Sequence, residues 1–233
     1  MGYKVDFGII GALEEEVSSL ISHLDDKEVI TVGGVTLNIG KIGQKSVAVA
    51  KSGVGKVFAA LCAQAMIITA TPSLIINTGV GGALGGGLRT TDTAIAKRLV
   101  QHDMDTSAIG DPIGLVSGIN KIYFDADERA VSVLCEGAIK LGVNARLSTI
   151  ASGDKFVANT EDKRRIVDLF GADVCEMEGA AIAQVAYVNN TPFAVIRAIS
   201  DSADEGASMD YLEFLPIAAK NSTALTEYLI ENY

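Results

Sequence analysis

Short apolar runs rich in Val and Ile alternate with longer segments of helical periodicity along the chain. The run at residues 5–11, for example, precedes a segment with apolar residues at Leu13, Val17, Leu20 and Leu24, the spacing of one buried helical stripe. Strands that are apolar on both faces and separated by helices indicate a layered α/β fold. We therefore expect a three-layer α/β/α arrangement around a central, mixed but largely parallel twisted sheet.

The expected elements follow one another without a linker or an internal repeat. Further strands are expected at residues 45–51, 73–77, 145–153 and 192–200, and further helices at 56–69, 125–142, 161–171, 179–190 and from Tyr211 onward. The helix that ends at Gly142 carries two boundary signals, because Asp125 precedes Glu128 by three residues, as in a capping box, and glycine is typical just past a helix. A chain of 233 residues commonly forms one core, so we expect a single domain of residues 1–233.

The composition argues against several classes of partner. A net charge of −10 and a pI near 4.7 disfavour binding to nucleic acid or to anionic membranes, which both require clustered Lys and Arg. No apolar run reaches the roughly 18 residues that span a bilayer, and the N-terminus lacks the pattern of an export signal, so we expect a cytoplasmic protein. Cys62, Cys135 and Cys175 are interpreted as reduced thiols, and His23 and His102 lack metal-ligand spacing, so no metal is expected.

Ligands of such sheets bind beyond the carboxyl ends of the strands, where the segment "GALEEEV" is one candidate. Three Glu in the first turn of a helix complement its N-terminal partial positive charge, which is one explanation of the run. On the helix Glu15 points away from the apolar stripe, while Glu14 and Glu16 flank it and could face a cleft. The periodicity does not distinguish between those two.

A glycine-rich segment, "NTGVGGALGGG", follows a buried strand. Its spacing matches neither the dinucleotide-binding nor the nucleoside-triphosphate motif, so it is either a flexible turn or a place where backbone approaches a ligand closely. "KSGVGK" is equally ambiguous.

Two further strand exits carry charged residues. Glu176 and Glu178 in "EMEG" fall on one side if the strand continues between them, and hydroxyls of a polyol would satisfy their carboxylates, although a helix N-terminus also accounts for Glu178. Arg197 and Asp201 in "RAISDSAD" share a face of an extended chain, with Asp201 expected at the rim. A structural salt bridge is the alternative interpretation of that pair.

Taken together and in order, "GIIGALEEEV", "KSGVGKV", "INTGVGGAL", "HDMD", "SGDKFV", "EMEGAAIA" and "RAISDSAD" resemble the 5'-methylthioadenosine/S-adenosylhomocysteine nucleosidases of the purine nucleoside phosphorylase superfamily. The resemblance covers essentially the whole chain. It implies a nucleoside phosphorylase-like fold and hydrolysis of the bond between adenine and ribose with water and no cofactor. It also implies homodimers that share the site, and a role in methionine salvage and removal of methylation by-products.

The resemblance also implies roles for individual residues. Asp201 would protonate the purine at N7 with Ser200 beside it, and Glu16 would activate the attacking water with Arg197 as its partner. Glu178 would bind the ribose hydroxyls. The implied substrate-binding set is Phe156, stacking on adenine, the backbone of Val157, Met177 and Gly82, the 5'-substituent residues Leu13, Val54 and Tyr211, and Ile109 reaching in from a second subunit.

Departures from the family pattern leave some features open. Val80 stands where many relatives have Ser, and Ile109 and Asp111 stand where some have aromatics. His102 and Asp103 are either site elements or a structural hydrogen-bonded pair. The alternative functions are a phosphorylase of the same fold, an aminodeoxyfutalosine nucleosidase, and a nucleoside-binding protein without turnover.

Overall fold

A computed structural model describes residues 2–85 and 87–233, and strands and helices alternate along these ranges. The strands are β1 (Phe7–Gly11), β2 (Asp25–Val32), β3 (Val35–Ile42), β4 (Lys45–Lys51), β5 (Leu74–Ala83), β6 (Thr93–Gln101), β7 (Tyr123–Asp125), β8 (Ala145–Ser152), β9 (Val174–Glu176) and β10 (Phe193–Asp201). The helices are α1 (Glu14–Ser22), α2 (Lys56–Ala70), α3 (Glu128–Leu141), α4 (Thr160–Phe170), α5 (Gly179–Val188) and α6 (Ala207–Asn232), with a short 3₁₀ turn at Ser107–Ile109.

All ten strands belong to one mixed sheet, as expected. The neighbours follow the order β10-β6-β8-β9-β5-β1-β4-β3-β2, with β7 beside β6. β5 pairs in parallel with both β1 and β10 and antiparallel with β9. Since β10 also pairs with β6, the strands β5, β10, β6, β8 and β9 close into a ring, and β1 to β4 extend from it.

Helices cover both faces of the sheet, which confirms the three-layer expectation. The apolar side chains of α2 and α5 share one core cluster, and those of α1, α3 and α6 share another across the sheet. Every residue of β1 and of β10 is buried, as expected for strands enclosed on both faces. Within the described ranges no helix is long and apolar enough to cross a membrane.

The local signals of the sequence hold in part. Gly142 ends α3 in the left-handed conformation, as predicted, but the N-cap is Asp127, whose side chain accepts a hydrogen bond from the Ala130 N–H. The capping-box prediction at Asp125 was wrong, because that residue still belongs to β7 and pairs with β6. α6 begins at Ala207, before the predicted start.

The segment "NTGVGG" is strand and not a flexible turn, because β5 continues through its glycines to Ala83. The hairpin of β2 and β3 was not predicted from the sequence, and most of β2 is exposed and polar, so it lacks the apolar signal of a buried strand. The three cysteines are free, and Cys62 and Cys175 are buried while Cys135 is partly exposed.

Candidate active site

A cavity lies beyond the carboxyl ends of β1, β5 and β10, where sheets of this type place their ligands. Eleven of the predicted site residues line it: Leu13, Glu16, Val54, Gly82, Phe156, Val157, Met177, Glu178, Ser200, Asp201 and Tyr211. The remaining lining residues are Ala12, Val80, Gly81, Lys155, Cys175 and Glu176. Segments far apart in sequence therefore converge on one site, as the motifs predicted.

Glu16 is the acid of the "EEE" run that faces the cavity, since it is buried while Glu14 and Glu15 are exposed. Its Oε2 accepts hydrogen bonds from the backbone N–H groups of Ala12 at 2.6 Å and Leu13 at 2.9 Å, and its Oε1 accepts one from Val80 at 3.1 Å. All three partners are donors, which matches an ionised carboxylate. Burial raises the pKa of Glu16 above its usual value, and Arg197 and these N–H groups partly offset that rise.

Asp201 ends β10 and is 3% exposed, so the expectation that it lies at the rim was wrong. A register shift between Ile199 and Asp201 interrupts the regular alternation there. The Ser200 hydroxyl donates to Oδ2 at 2.8 Å and the Ala203 N–H donates to Oδ1 at 2.9 Å. Burial raises the pKa of Asp201 despite these donors, and Asp210 and Asp204 raise it further. The protonated form is therefore favoured relative to an exposed aspartate.

Glycines in β5 allow both acids to approach the strand closely. A Cβ atom on Gly79 would lie 2.5 Å from Oε1 of Glu16, and one on Gly82 would lie 2.7 Å from Oδ1 of Asp201. Three residues of a strand span about 10 Å. The two carboxyl groups therefore approach β5 at points separated by about that distance, and both residues line the cavity.

Glu176, which lines the cavity, forms a buried ion pair with Arg197, which does not. Nε and Nη2 of Arg197 donate to Oε2 of Glu176, and Nη2 also donates to Oδ1 of Asn77 at 2.5 Å. Burial disfavours the guanidinium charge, but Glu176, Glu178 and Glu16 outweigh that effect and raise the pKa of Arg197. The prediction that Arg197 is the direct partner of Glu16 was wrong. Arg197 makes its hydrogen bonds elsewhere and affects Glu16 only through its positive charge, which lowers the pKa of Glu16. The alternative of a structural salt bridge between Arg197 and Asp201 was also wrong, because Arg197 pairs with Glu176.

Glu178 differs from Glu176 in the acceptor capacity that it leaves for a ligand. Protein donors occupy both oxygens of Glu176, because Ser152 binds Oε1 and the N–H groups of Glu178 and Gly179 join Arg197 on Oε2. Glu178 accepts one bond, from the Gly55 N–H at 2.8 Å, and Arg197 lies 3.9 Å from its Oε2. β9 ends at Glu176, so the strand does not continue between the two acids, and Glu178 is the N-cap residue of α5, as the alternative interpretation had it.

Burial raises the pKa of Glu178 to about 7, and the charge of Glu176 adds to the rise. A carboxyl group with free acceptor positions and a pKa in this range is typical of functional sites. A ligand that donates hydrogen bonds to it stabilises the ionised form. Hydroxyl groups of a polyol are donors of the required kind.

An apolar wall faces these acids. The rings of Phe156 and Tyr211 meet edge to face at 5.6 Å, and Val54 and Phe156 remain about half exposed at the mouth. Burial and the charge of Glu16 raise the pKa of Tyr211 to about 12, so its hydroxyl stays protonated. The wall is suited to an aromatic ring and an apolar substituent, with the acids placed for polar groups between them.

Two predicted site residues do not line the cavity. Arg197 lies behind Glu176, and Ile109 is 81% exposed in the 3₁₀ turn, so its predicted role depends on a second subunit. Sequence reasoning had not assigned Lys155 and Cys175 to the site, although Lys155 adjoins Phe156, which it had assigned. Cys175 offered no signal beyond its apolar context.

The arrangement brings two buried carboxyl groups with different surroundings to one cavity, as acid–base chemistry requires. Asp201 has the environment of a proton donor, and Glu16 has the hydrogen-bond partners of a carboxylate base. Glu178 lines the same cavity and has free acceptor positions for hydroxyl groups.

Comparison with known proteins agrees with this geometry. A family model described as the phosphorylase superfamily matches residues 6–231. A solved 5'-methylthioadenosine/S-adenosylhomocysteine nucleosidase from Neisseria meningitidis, in complex with methylthio-immucillin-A, is 34% identical with a TM-score of 0.94, covering 97% of this chain and 99% of that one. An S-adenosylhomocysteine nucleosidase from Streptococcus pyogenes is 35% identical, with a TM-score of 0.93 and 99% and 97% coverage.

A futalosine hydrolase from Helicobacter pylori is similar to the same degree. It is 34% identical with a TM-score of 0.94, covering 99% of this chain and 98% of that one. The chain belongs to the phosphorylase superfamily and, within it, to the family of 5'-methylthioadenosine/S-adenosylhomocysteine nucleosidases.

Proposed function

We propose that the protein hydrolyses the N-glycosidic bond of 5'-methylthioadenosine and S-adenosylhomocysteine, and also that of 5'-deoxyadenosine, releasing adenine and the 5-substituted ribose. The observation that carries the proposal is the pair of buried acids, Glu16 and Asp201, on one cavity with different hydrogen-bond partners. Structural relatives named as nucleosidases of these substrates support it.

In this reaction the bond between the sugar C1' and the purine N9 breaks, and its electron pair leaves with the base. Asp201 donates a proton to N7 of the purine, which turns a poor leaving group into neutral adenine. Ser200 supports this step, because its hydroxyl orients the Asp201 carboxyl group.

Water completes the reaction at C1'. Glu16 accepts a proton from the attacking water, and the water oxygen forms the new bond to the sugar. The three N–H groups on Glu16 hold the carboxylate in place, and the buried charge of Arg197 favours its ionised form. Each turnover moves one proton from Asp201 to adenine and one from water to Glu16. Exchange with solvent then returns a proton to Asp201 and removes the one on Glu16.

The remaining lining residues bind the substrate. Glu178 accepts the ribose hydroxyls beside Met177, and Phe156 stacks on adenine while the backbone of Val157 contacts its edge. The residues proposed for the apolar 5'-substituent are Leu13, Val54 and Tyr211. Gly82 leaves space in the part of the cavity proposed for adenine, because any larger residue there would clash with the Asp201 carboxyl group.

Hydrolysis is favoured over phosphorolysis by the charge of the cavity. Phosphate as a nucleophile requires converging cations on the sugar side. Among the lining side chains that the structure describes, Lys155 is the only cation, and it is bound to Asp162 at 2.5 Å. Glu16, Glu176 and Glu178 line the same cavity, and their carboxylates disfavour a phosphate anion there.

The purified protein, incubated with 5'-methylthioadenosine in phosphate-free buffer, tests the proposal by chromatography of the products. We expect adenine and methylthioribose, at a rate that added phosphate does not raise. Adenine release only after phosphate is added, with a sugar phosphate as co-product, would show a phosphorylase. Binding of the nucleoside without release of adenine under either condition would show a binding protein without turnover.

The Helicobacter pylori relative supports a second candidate, hydrolysis of aminodeoxyfutalosine, because it is named as a futalosine hydrolase and is equally similar. The mouth of the cavity is formed partly by exposed side chains, including Val54 and Phe156, which leaves space for a larger 5'-substituent. Competition among 5'-methylthioadenosine, S-adenosylhomocysteine, 5'-deoxyadenosine and aminodeoxyfutalosine measures the preference directly.

The proposal includes a single-domain cytoplasmic enzyme that acts as a homodimer in methionine salvage. One face of α2 supports the dimer, because Val57, Phe58, Leu61 and Ile68 are large apolar side chains that are more than half exposed there. α2 directly follows Val54 of the cavity, so a subunit on this face would lie near the site. Light scattering at micromolar concentration tests the dimer, and truncation of the Ile109 side chain tests its proposed role across the interface.

A further inference from the structure

Asp103 belongs to the "HDMD" motif and does not line the cavity, yet it joins two of the loops around it. Its Oδ1 accepts from Nζ of Lys56 at 2.6 Å, and its Oδ2 accepts from the backbone N–H of Asp154 at 2.9 Å. Burial raises its pKa, but these donors outweigh burial and lower the pKa of Asp103, so it is a carboxylate at neutral pH. Its neighbour His102 is buried against Gly153 and makes no contact with Asp103 of this kind.

The same contacts extend to the start of α2. The backbone N–H of Lys56 donates to Oδ1 of Asp154 at 2.7 Å, and the preceding N–H, of Gly55, donates to Oε1 of Glu178 at 2.8 Å. Gly55 is the N-cap of α2 and has no capping side chain, so carboxylates from other loops accept these two N–H groups. Asp103 holds the backbone of Asp154, which carries one of these carboxylates, and the side chain of Lys56.

We propose that Asp103 is a positioning residue for Glu178: by holding Lys56 and Asp154 it fixes the Gly55 N–H that orients the Glu178 carboxylate. This inference rests on the proposed function in taking the ribose hydroxyls as the ligand of Glu178. Loss of Asp103 frees the start of α2, and the Gly55 N–H no longer holds Oε1 of Glu178 in one position. The consequence is specific, because recognition of the sugar hydroxyls weakens more than recognition of the base.

The experiment compares 5'-methylthioadenosine with its 2'-deoxy analogue. The quantity measured is kcat/KM for 5'-methylthioadenosine divided by kcat/KM for the 2'-deoxy analogue, and in parallel the same ratio of their association constants from calorimetry. We expect Asp103→Ala to lower both ratios about tenfold. Asp103→Asn keeps an acceptor for Lys56 but loses the one for the Asp154 N–H, so its ratios should lie between those of Asp103→Ala and the wild type.

A double-mutant cycle separates positioning from a general structural effect. In a Glu178→Ala background, Asp103→Ala should change the ratios less than about twofold, because the two residues act in series. Asp105→Ala is the matched control, since Asp105 is a more exposed carboxylate in the same loop, 4.0 Å from Arg165, and should leave the ratios unchanged. Melting temperatures of all variants show whether each is folded.

Unchanged ratios in both Asp103 variants would overturn the inference, as would an equal loss with and without Glu178. If the alanine variant does not fold, the asparagine variant decides between the same outcomes. Failure of the proposed function is a different result, namely no adenine release by the wild type. The calorimetric ratios then still test the positioning role.

Discussion

Replacement of Glu16 by Gln tests the proposed catalytic base and its backbone contacts together. Oε2 of Glu16 accepts two hydrogen bonds and Oε1 accepts one, all from backbone N–H groups. A glutamine side chain has one acceptor oxygen, which the Ala12 and Leu13 N–H groups would take. Its NH₂ group would then face the Val80 N–H, so that two donors meet in a buried site.

Two losses of different kinds are expected. Removal of a general base lowers kcat by about 10²- to 10⁴-fold. The unsatisfied buried donors reduce the free energy of unfolding by about 1–3 kcal/mol. For a domain of this size each kcal/mol lowers the melting temperature by about 2–4 °C. Adenine release measured spectroscopically, with calorimetric melting of the same samples, gives both quantities.

Glu15→Gln is the matched control, because Glu15 lies in the same helical turn but is exposed. It should leave kcat within about twofold and the free energy of unfolding within about 0.5 kcal/mol. The reasoning is refuted if Glu16→Gln retains more than a tenth of the wild-type kcat, or if both variants lose activity equally.

Asp201→Asn should lower kcat by at least about 10²-fold while the dissociation constant of the nucleoside changes by less than about tenfold, and a comparable loss in affinity would contradict an acid role. Glu178, with a pKa raised to about 7, should bind ribose hydroxyls more tightly as pH rises through 7, because ionisation adds acceptors. Calorimetry between pH 5 and 9 should show no such trend for a 2',3'-dideoxy analogue. Gly79→Ala should displace the Glu16 carboxylate, whose Oε1 would lie 2.5 Å from the new Cβ, and reduce kcat about 10²-fold or more. Gly85→Ala, with no atom within 4 Å, should remain active in the same assay.

Much of the fold follows from local patterns. β1 and β10 are apolar on both faces, and the helices next to them carry an apolar stripe, so their type and order were predictable. The β2–β3 hairpin was not predictable from local patterns, because β2 is mostly exposed and is joined to the sheet by its pairing with β3, which in turn pairs with β4. The glycines of β5 gave a turn signal, but long-range pairing with β1 and β10 keeps them extended.

For the site, the sequence by itself determined which segments supply it, since the chain positions after buried strands and their residue types are local properties. Only the tertiary structure decided that Glu16, and not Glu14, faces the cavity, and that Arg197 binds Glu176. The physical reason is that the deciding partners are remote in sequence. The Val80 N–H reaches Glu16 across 64 positions, and Gly55 reaches Glu178 across 123, so folding must bring them together before either carboxylate has its environment.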